Sequence, residues 1–106
     1  MAWAILLLAG VFEITWAIAL KYSHGFTRAL PVGIVFGAGF ASFYLLSLAA
    51  EKLPIGTAYA VWTGIGAVGT AVLGMILFGE ARNSARLVSI VLIVAGIAGL
   101  RIFSSK

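Results

Sequence analysis

Charge is distributed along this chain so that long stretches carry none of it. Residues 29–50 are uncharged over 22 positions and residues 53–79 over 27, while residues 1–20 hold one charged side chain, Glu13. Residues 87–100 are uncharged over 14, with Arg86 and Arg101 at their ends. A helix needs about 20 residues, at ~1.5 Å each, to cross the ~30 Å hydrocarbon core of a bilayer. The first three blocks meet that length. The fourth does so if Arg86 and Arg101 snorkel outward and extend it to about residues 85–103. The blocks therefore predict an all-α membrane protein, one domain over residues 1–106 with helices at about 2–20, 31–50, 54–78 and 85–103. Soluble domains are about 25% charged and this chain is 9%.

The same composition removes several function classes. A net charge of +4 could suit nucleic acid, but the seven Lys/Arg form no stripe and sit at predicted helix ends, where they suit headgroups. Without cysteine there is no disulfide, thiol nucleophile or thiolate metal site. No Ser/His/Asp set, paired acids or phosphate loop appears, so no enzyme, metal or cofactor chemistry is expected. His24, Tyr22, Trp3 and Phe103 read as residues at the membrane interface. Ala17-Ile18-Ala19 resembles a leader cleavage site, but no basic segment precedes it and Glu13 interrupts the apolar run.

Glu13 is the anomaly. It lies about ten residues, or ~15 Å, along its helix, close to the bilayer midplane. An ionised side chain there costs at least ~2.5–3.5 kcal/mol, so an intramembrane acid marks a functional site. Hydrocarbon favours its neutral form, and the carboxylate can hold a proton or a cation, one excluding the other. The bland alternative is a protonated, structural glutamate. Gly10, Glu13, Trp16 and Ala17 share a helical face. On the third helix Tyr59 and Trp62 are i, i+3 neighbours, with Thr63 and Gly66 on the same side. Aromatic faces beside a carboxylate make a cation site, although Tyr59 could equally be a belt residue. Ser42, near the middle of the second helix, could bond Glu13 or a ligand, or its own i−4 carbonyl.

Of thirteen glycines, most are inside the helices, where small residues let backbones approach closely. Gly64 and Gly66 are candidates for a kink or for packing alone. Ser89 and Gly96, seven apart, share a face that fits a packing seam. The loops also balance: Lys21, Arg28, Arg82 and Arg86 face one side, and Lys52, Arg101 and Lys106 the other. Orientation normally follows a clear Lys/Arg excess, so this chain could insert both ways unless one residue fixes it. Four helices alone enclose a charged site poorly, and a second subunit would bring a second Glu13.

The stretches "FEITWAIALKYSHGFTR" at 12–28 and "LPIGTAYAVWTGIGAVG" at 53–69, with the acid of the first helix, resemble the small multidrug resistance family of bacterial exporters over essentially the whole chain. Trp16 and "AYAVWTGIG" resemble its guanidinium-exporter subtype. The resemblance implies an antiparallel, dual-topology homodimer in the bacterial inner membrane that exchanges protons for guanidinium-type cations. Glu13 of both subunits would bind proton and substrate by turns, with Trp16, Ser42, Tyr59 and Trp62 lining the site. It further implies a kink at Gly64 and Gly66 and a dimer seam at Ser89 and Gly96, where Ser89 replaces a glycine common in relatives. The alternative within the family is a multidrug exporter of quaternary ammonium and other lipophilic cations. A lipid-intermediate flippase and a purely structural membrane protein are more distant readings.

Overall fold

The computed structural model describes residues 1–103, so Lys106, counted above among the loop charges, lies outside the described residues. They form four helices: α1 (Ala2–Tyr22), α2 (Ala29–Ala50), α3 (Ile55–Leu77) and α4 (Ser84–Phe103). All four are long and apolar enough to cross a membrane. In hydrocarbon a backbone must satisfy its own hydrogen bonds, and uninterrupted helices do so. No strand occurs among the described residues. Pro31 lies in the first turn of α2 and Pro54 caps α3, positions where a missing N–H costs nothing.

The connections are tight. Between α1 and α2 the buried Ser23 hydroxyl donates to Leu20 O at 2.7 Å and accepts the Phe26 N–H at 3.1 Å. Gly25 turns the chain with φ +74°, but His24 (φ 50°) and Phe26 (φ 67°) are also left-handed. For a residue as bulky as Phe26 that conformation is strained. After α3 the turn is held by two arginines. Arg82 Nη2 donates to Met75 O at 3.1 Å, and Arg86 Nη2 donates to Ala71 O at 3.3 Å and to Glu80 Oε1 at 2.7 Å. Arg86 does not snorkel to a headgroup, as its position suggested. Carbonyls in a helix's last turn attract cations, as Met75 O does Arg82, while Arg86 folds back onto Glu80 and a carbonyl deeper in α3.

α1 packs against α2 and α3, and α4 lies mainly against α3, with Arg101 reaching over the Trp3 ring of α1 at 5.0 Å. The core of Leu6, Ala9, Leu46, Ala49, Leu53, Ala58, Val61 and Trp62 occupies the end of the slab where α1 begins and α2 turns into α3. The protomer measures 43 × 34 × 17 Å, and no described residue of α4 is buried.

Candidate functional site

Four-residue steps order the α1–α3 interface. Ala9, Glu13, Ala17 and Lys21 follow one another on α1; Trp62, Gly66, Thr70 and Gly74 do so on α3, each step rising about 6 Å. Glu13 meets Gly66 directly, Ala9 and Trp62 meet through Ser42 of α2, and Ala17, Lys21, Thr70 and Gly74 line a cavity beyond them.

In the first layer Ser42 joins three helices. Its fully buried hydroxyl donates to Ala9 O of α1 at 2.7 Å and accepts the Trp62 indole N–H of α3 at 2.8 Å. Neither sequence alternative for Ser42, Glu13 or its own i−4 carbonyl, is what it bonds. Satisfying both partners fixes the Trp62 ring, since burying that N–H unpaired would cost about 1–3 kcal/mol. Tyr59 and Phe43 pack on the fixed ring with centroids at 5.8 and 5.1 Å. Ser42, Tyr59 and Trp62 are thus brought together, with Tyr59 exposed and Trp62 buried.

The second layer is Glu13 against Gly66. A Cβ added at Gly66 would fall on the carboxyl group of Glu13, so only glycine allows this approach. Glu13 Oε1 is buried without a hydrogen-bond partner among the described residues, and the ion pair found there joins Arg86 to Glu80, not to Glu13. An unpaired acceptor out of water favours whatever can supply a proton or an N–H.

The face shared by Gly10, Glu13 and Trp16 does not meet one neighbour. Gly10 abuts Ile65 and Glu13 abuts Gly66, both on α3, while Trp16 turns toward Gly39 of α2, in a 360 Å³ apolar cleft with Phe36, Phe40 and Phe43. Trp16 Nε1 is also buried and unpartnered among the described residues. The 60° between i and i+3 suffices to send the two side chains to different helices. Thr63, one turn after Tyr59, is exposed as Tyr59 is.

Gly64 admits Ile97 of α4, whose Cδ1 would lie 2.9 Å from an added Cβ. α3 continues as one helix through Gly64 and Gly66. On α4, Gly96 faces open space and the exposed Ser89 donates its hydroxyl to Ala85 O at 2.8 Å. Sequence reasoning missed the seat that Gly66 gives Glu13 and missed Thr70 altogether, although Gly66, Thr70 and Gly74 at four-residue spacing mark one readable face.

The family described as Small Multidrug Resistance protein matches residues 1–93. A "Guanidinium exporter" of Yersinia pseudotuberculosis is 59% identical over 104 residues, covering 98% of this chain and 100% of that protein. Proteins of the same name from Citrobacter freundii and Proteus vulgaris are 57% identical over 102 residues and 56% over 104. They cover 96% and 98% of this chain, and 97% and 100% of their own lengths. Four apolar helices, an acid with a buried oxygen seated on a glycine and these matches agree: the chain is a multi-pass membrane protein and belongs to the Small Multidrug Resistance family.

Proposed function

We propose that the chain exports guanidinium-type cations across the bacterial inner membrane in exchange for protons, as an antiparallel, dual-topology homodimer. Protons and substrate compete for Glu13 of both subunits. The relatives' shared name supplies the cation. The observation that carries the mechanism is the half-buried carboxyl of Glu13, set against Gly66, whose buried Oε1 finds no partner among the described residues.

Guanidinium is planar and offers N–H donors in a fork that matches a carboxylate bidentately. Trp62, held by Ser42 one helical turn from Glu13, and Tyr59 beside it give flat, electron-rich faces for such a cation. Trp16, 60° around the same helix, brings an unpartnered N–H on the α2 side of Glu13. Two protons neutralise the pair of acids and release the cation, and the acids titrate as a coupled pair. In an antiparallel pair, opening outward is opening inward with the subunits exchanged, so the two states are close in energy. The exposed α4, with Gly96 open, and the balanced loop charges support a second copy of inverted orientation. Gly64 and Gly66 provide the flexibility for α3 to bend between states.

Purified chain in proteoliposomes tests this. Glu13→Gln should abolish guanidinium-driven proton movement, and full exchange by that variant would refute the reading. Competition between guanidinium and tetraalkylammonium for binding separates a guanidinium exporter from a multidrug exporter.

A further inference from the structure

Beyond Glu13 the layered interface continues. Lys21, Thr70, Gly74, Phe78 and Glu80, with Ala17, line a cavity of about 460 Å³ between the C-terminal halves of α1 and α3. Its inner end is Ala17 and Thr70, each four residues past a member of the Glu13–Gly66 pair, so the cavity stops one helical turn, about 6 Å, short of the acid. The Thr70 hydroxyl is buried and has no partner among the described residues. That is unusual in a membrane helix, where a threonine normally bonds a carbonyl of its own helix.

We infer that this cleft is the proton route to Glu13, with Thr70 as its relay hydroxyl and Glu80 as the group that offsets charge at its mouth. The inference rests on proton coupling through Glu13 as proposed above. The cavity is roomy enough for several waters and presents polar partners for them, which a hydrated cavity requires. Thr70 Oγ accepts a hydrogen bond from water on the loop side and donates its own hydrogen toward water or carboxylate on the Glu13 side. One proton leaves a hydronium at the mouth, one arrives on the Glu13 carboxylate, and rotation of the Thr70 hydroxyl restores the start.

Charge at the mouth decides whether a proton enters. Lys21 of α1 stands there with Nζ 5.7 Å from the Phe78 ring centroid, and Arg86 of α4 reaches the same region. Alone they would repel hydronium. Glu80, from the segment after α3, bonds Arg86 at 2.7 Å and seats its carboxyl on Gly74, where an added Cβ would collide with it. Glu80 therefore offsets one of the positive charges of Lys21, Arg86 and Arg82, the last bonded to Met75 O, where the route meets the loops. No α2 residue lines the cavity. In the antiparallel pair the two copies of the route open on opposite membrane faces.

Thr70→Val removes the hydroxyl at nearly constant shape. Guanidinium-driven proton flux should fall roughly tenfold, the rate equivalent of one hydrogen bond worth about 1.4 kcal/mol in the barrier. Equilibrium guanidinium binding should persist, and Thr70→Ser should restore the flux. Ala17→Leu, which plugs the inner end, should slow flux in the same way. Native flux in both Thr70→Val and Ala17→Leu would overturn the inference. A second readout does not depend on transport. The chain has no cysteine, so Thr70→Cys should react with a small cationic methanethiosulfonate while Val72→Cys, at the lipid-exposed surface, should not. If the native chain moved no protons, the proposed function would fall, and Thr70→Cys labelling would still decide the route: reaction supports it, and an unreactive thiol overturns it.

Discussion

Gly66→Ala tests the geometry of the site more sharply than removing the acid. The added methyl lands on the Glu13 carboxyl and sits 2.8 Å from its Cγ, inside any normal carbon contact. The cheapest response is a rotation of the Glu13 side chain off α3, since its end is flexible and the α3 backbone is not. An off-rotamer side chain costs about 0.5–1.5 kcal/mol. Alanine recovers about 1 kcal/mol of helix propensity over glycine. Thermal stability in detergent should therefore change by less than about 1 kcal/mol. Binding should not escape. A hydrogen bond to a charged group contributes about 1.5–3 kcal/mol, so a carboxylate swung out of place should weaken guanidinium binding about 10- to 100-fold. Tryptophan fluorescence titration with guanidinium reads this directly. Gly69→Ala is the control, because the atoms nearest its methyl belong to the Ile14 side chain and not to the carboxyl. A folded Gly66→Ala protein with native affinity, or an equal loss from Gly69→Ala, would refute the reasoning.

Other outcomes follow from the same contacts. Ser42→Ala leaves the Trp62 N–H buried without its acceptor and should destabilise the protomer by about 1–3 kcal/mol, seen as a lower Tm and an altered tryptophan emission. If protons and guanidinium compete for Glu13 as proposed, affinity should rise with pH as the acid loses its proton, and Glu13→Gln should bind weakly with no pH dependence. A cysteine appended after Lys106 should be labelled from both membrane faces by an impermeant reagent, and one-sided labelling would defeat dual topology.

Much of this was legible in the sequence because lipid enforces simple rules. Apolar blocks of membrane length became helices, and the lone acid of the first block lies against α3 with a buried oxygen. What stayed hidden depended on which neighbour each face meets. Ser42 lies 33 residues from Ala9 and 20 from Trp62, and no spacing announces that one hydroxyl joins them. The α1 face divided between α2 and α3 because helical periodicity places Glu13 and Trp16 only 60° apart and does not say where the partner helices lie. Arg86 was misjudged for a related reason. Its sequence neighbours suggested a helix end at the headgroups, but its nearest acceptors are a carbonyl and a carboxylate created by the turn after α3.

The glycines of α3 show how packing and chemistry share one helix. Each interior glycine costs up to ~1 kcal/mol of helix stability against alanine, so each must return something through a neighbour. Gly64 and Gly69 admit hydrocarbon, Ile97 of α4 and Ile14 of α1. Gly66 and Gly74 admit carboxyl groups, Glu13 and Glu80. Both acids thus lie against bare backbone, where no α3 side chain can neutralise or cover them. Eight residues, about 12 Å, separate the two seats along α3, with Thr70 halfway between. Alanine at the four positions should therefore divide by neighbour: Gly64 and Gly69 by stability and by the lie of α4 and α1, Gly66 by cation binding, and Gly74 by the rate at which protons reach the bound state. If all four variants lost stability and function in proportion, α3 would be a packing helix only, and the placement of both acids on glycine would carry no functional meaning.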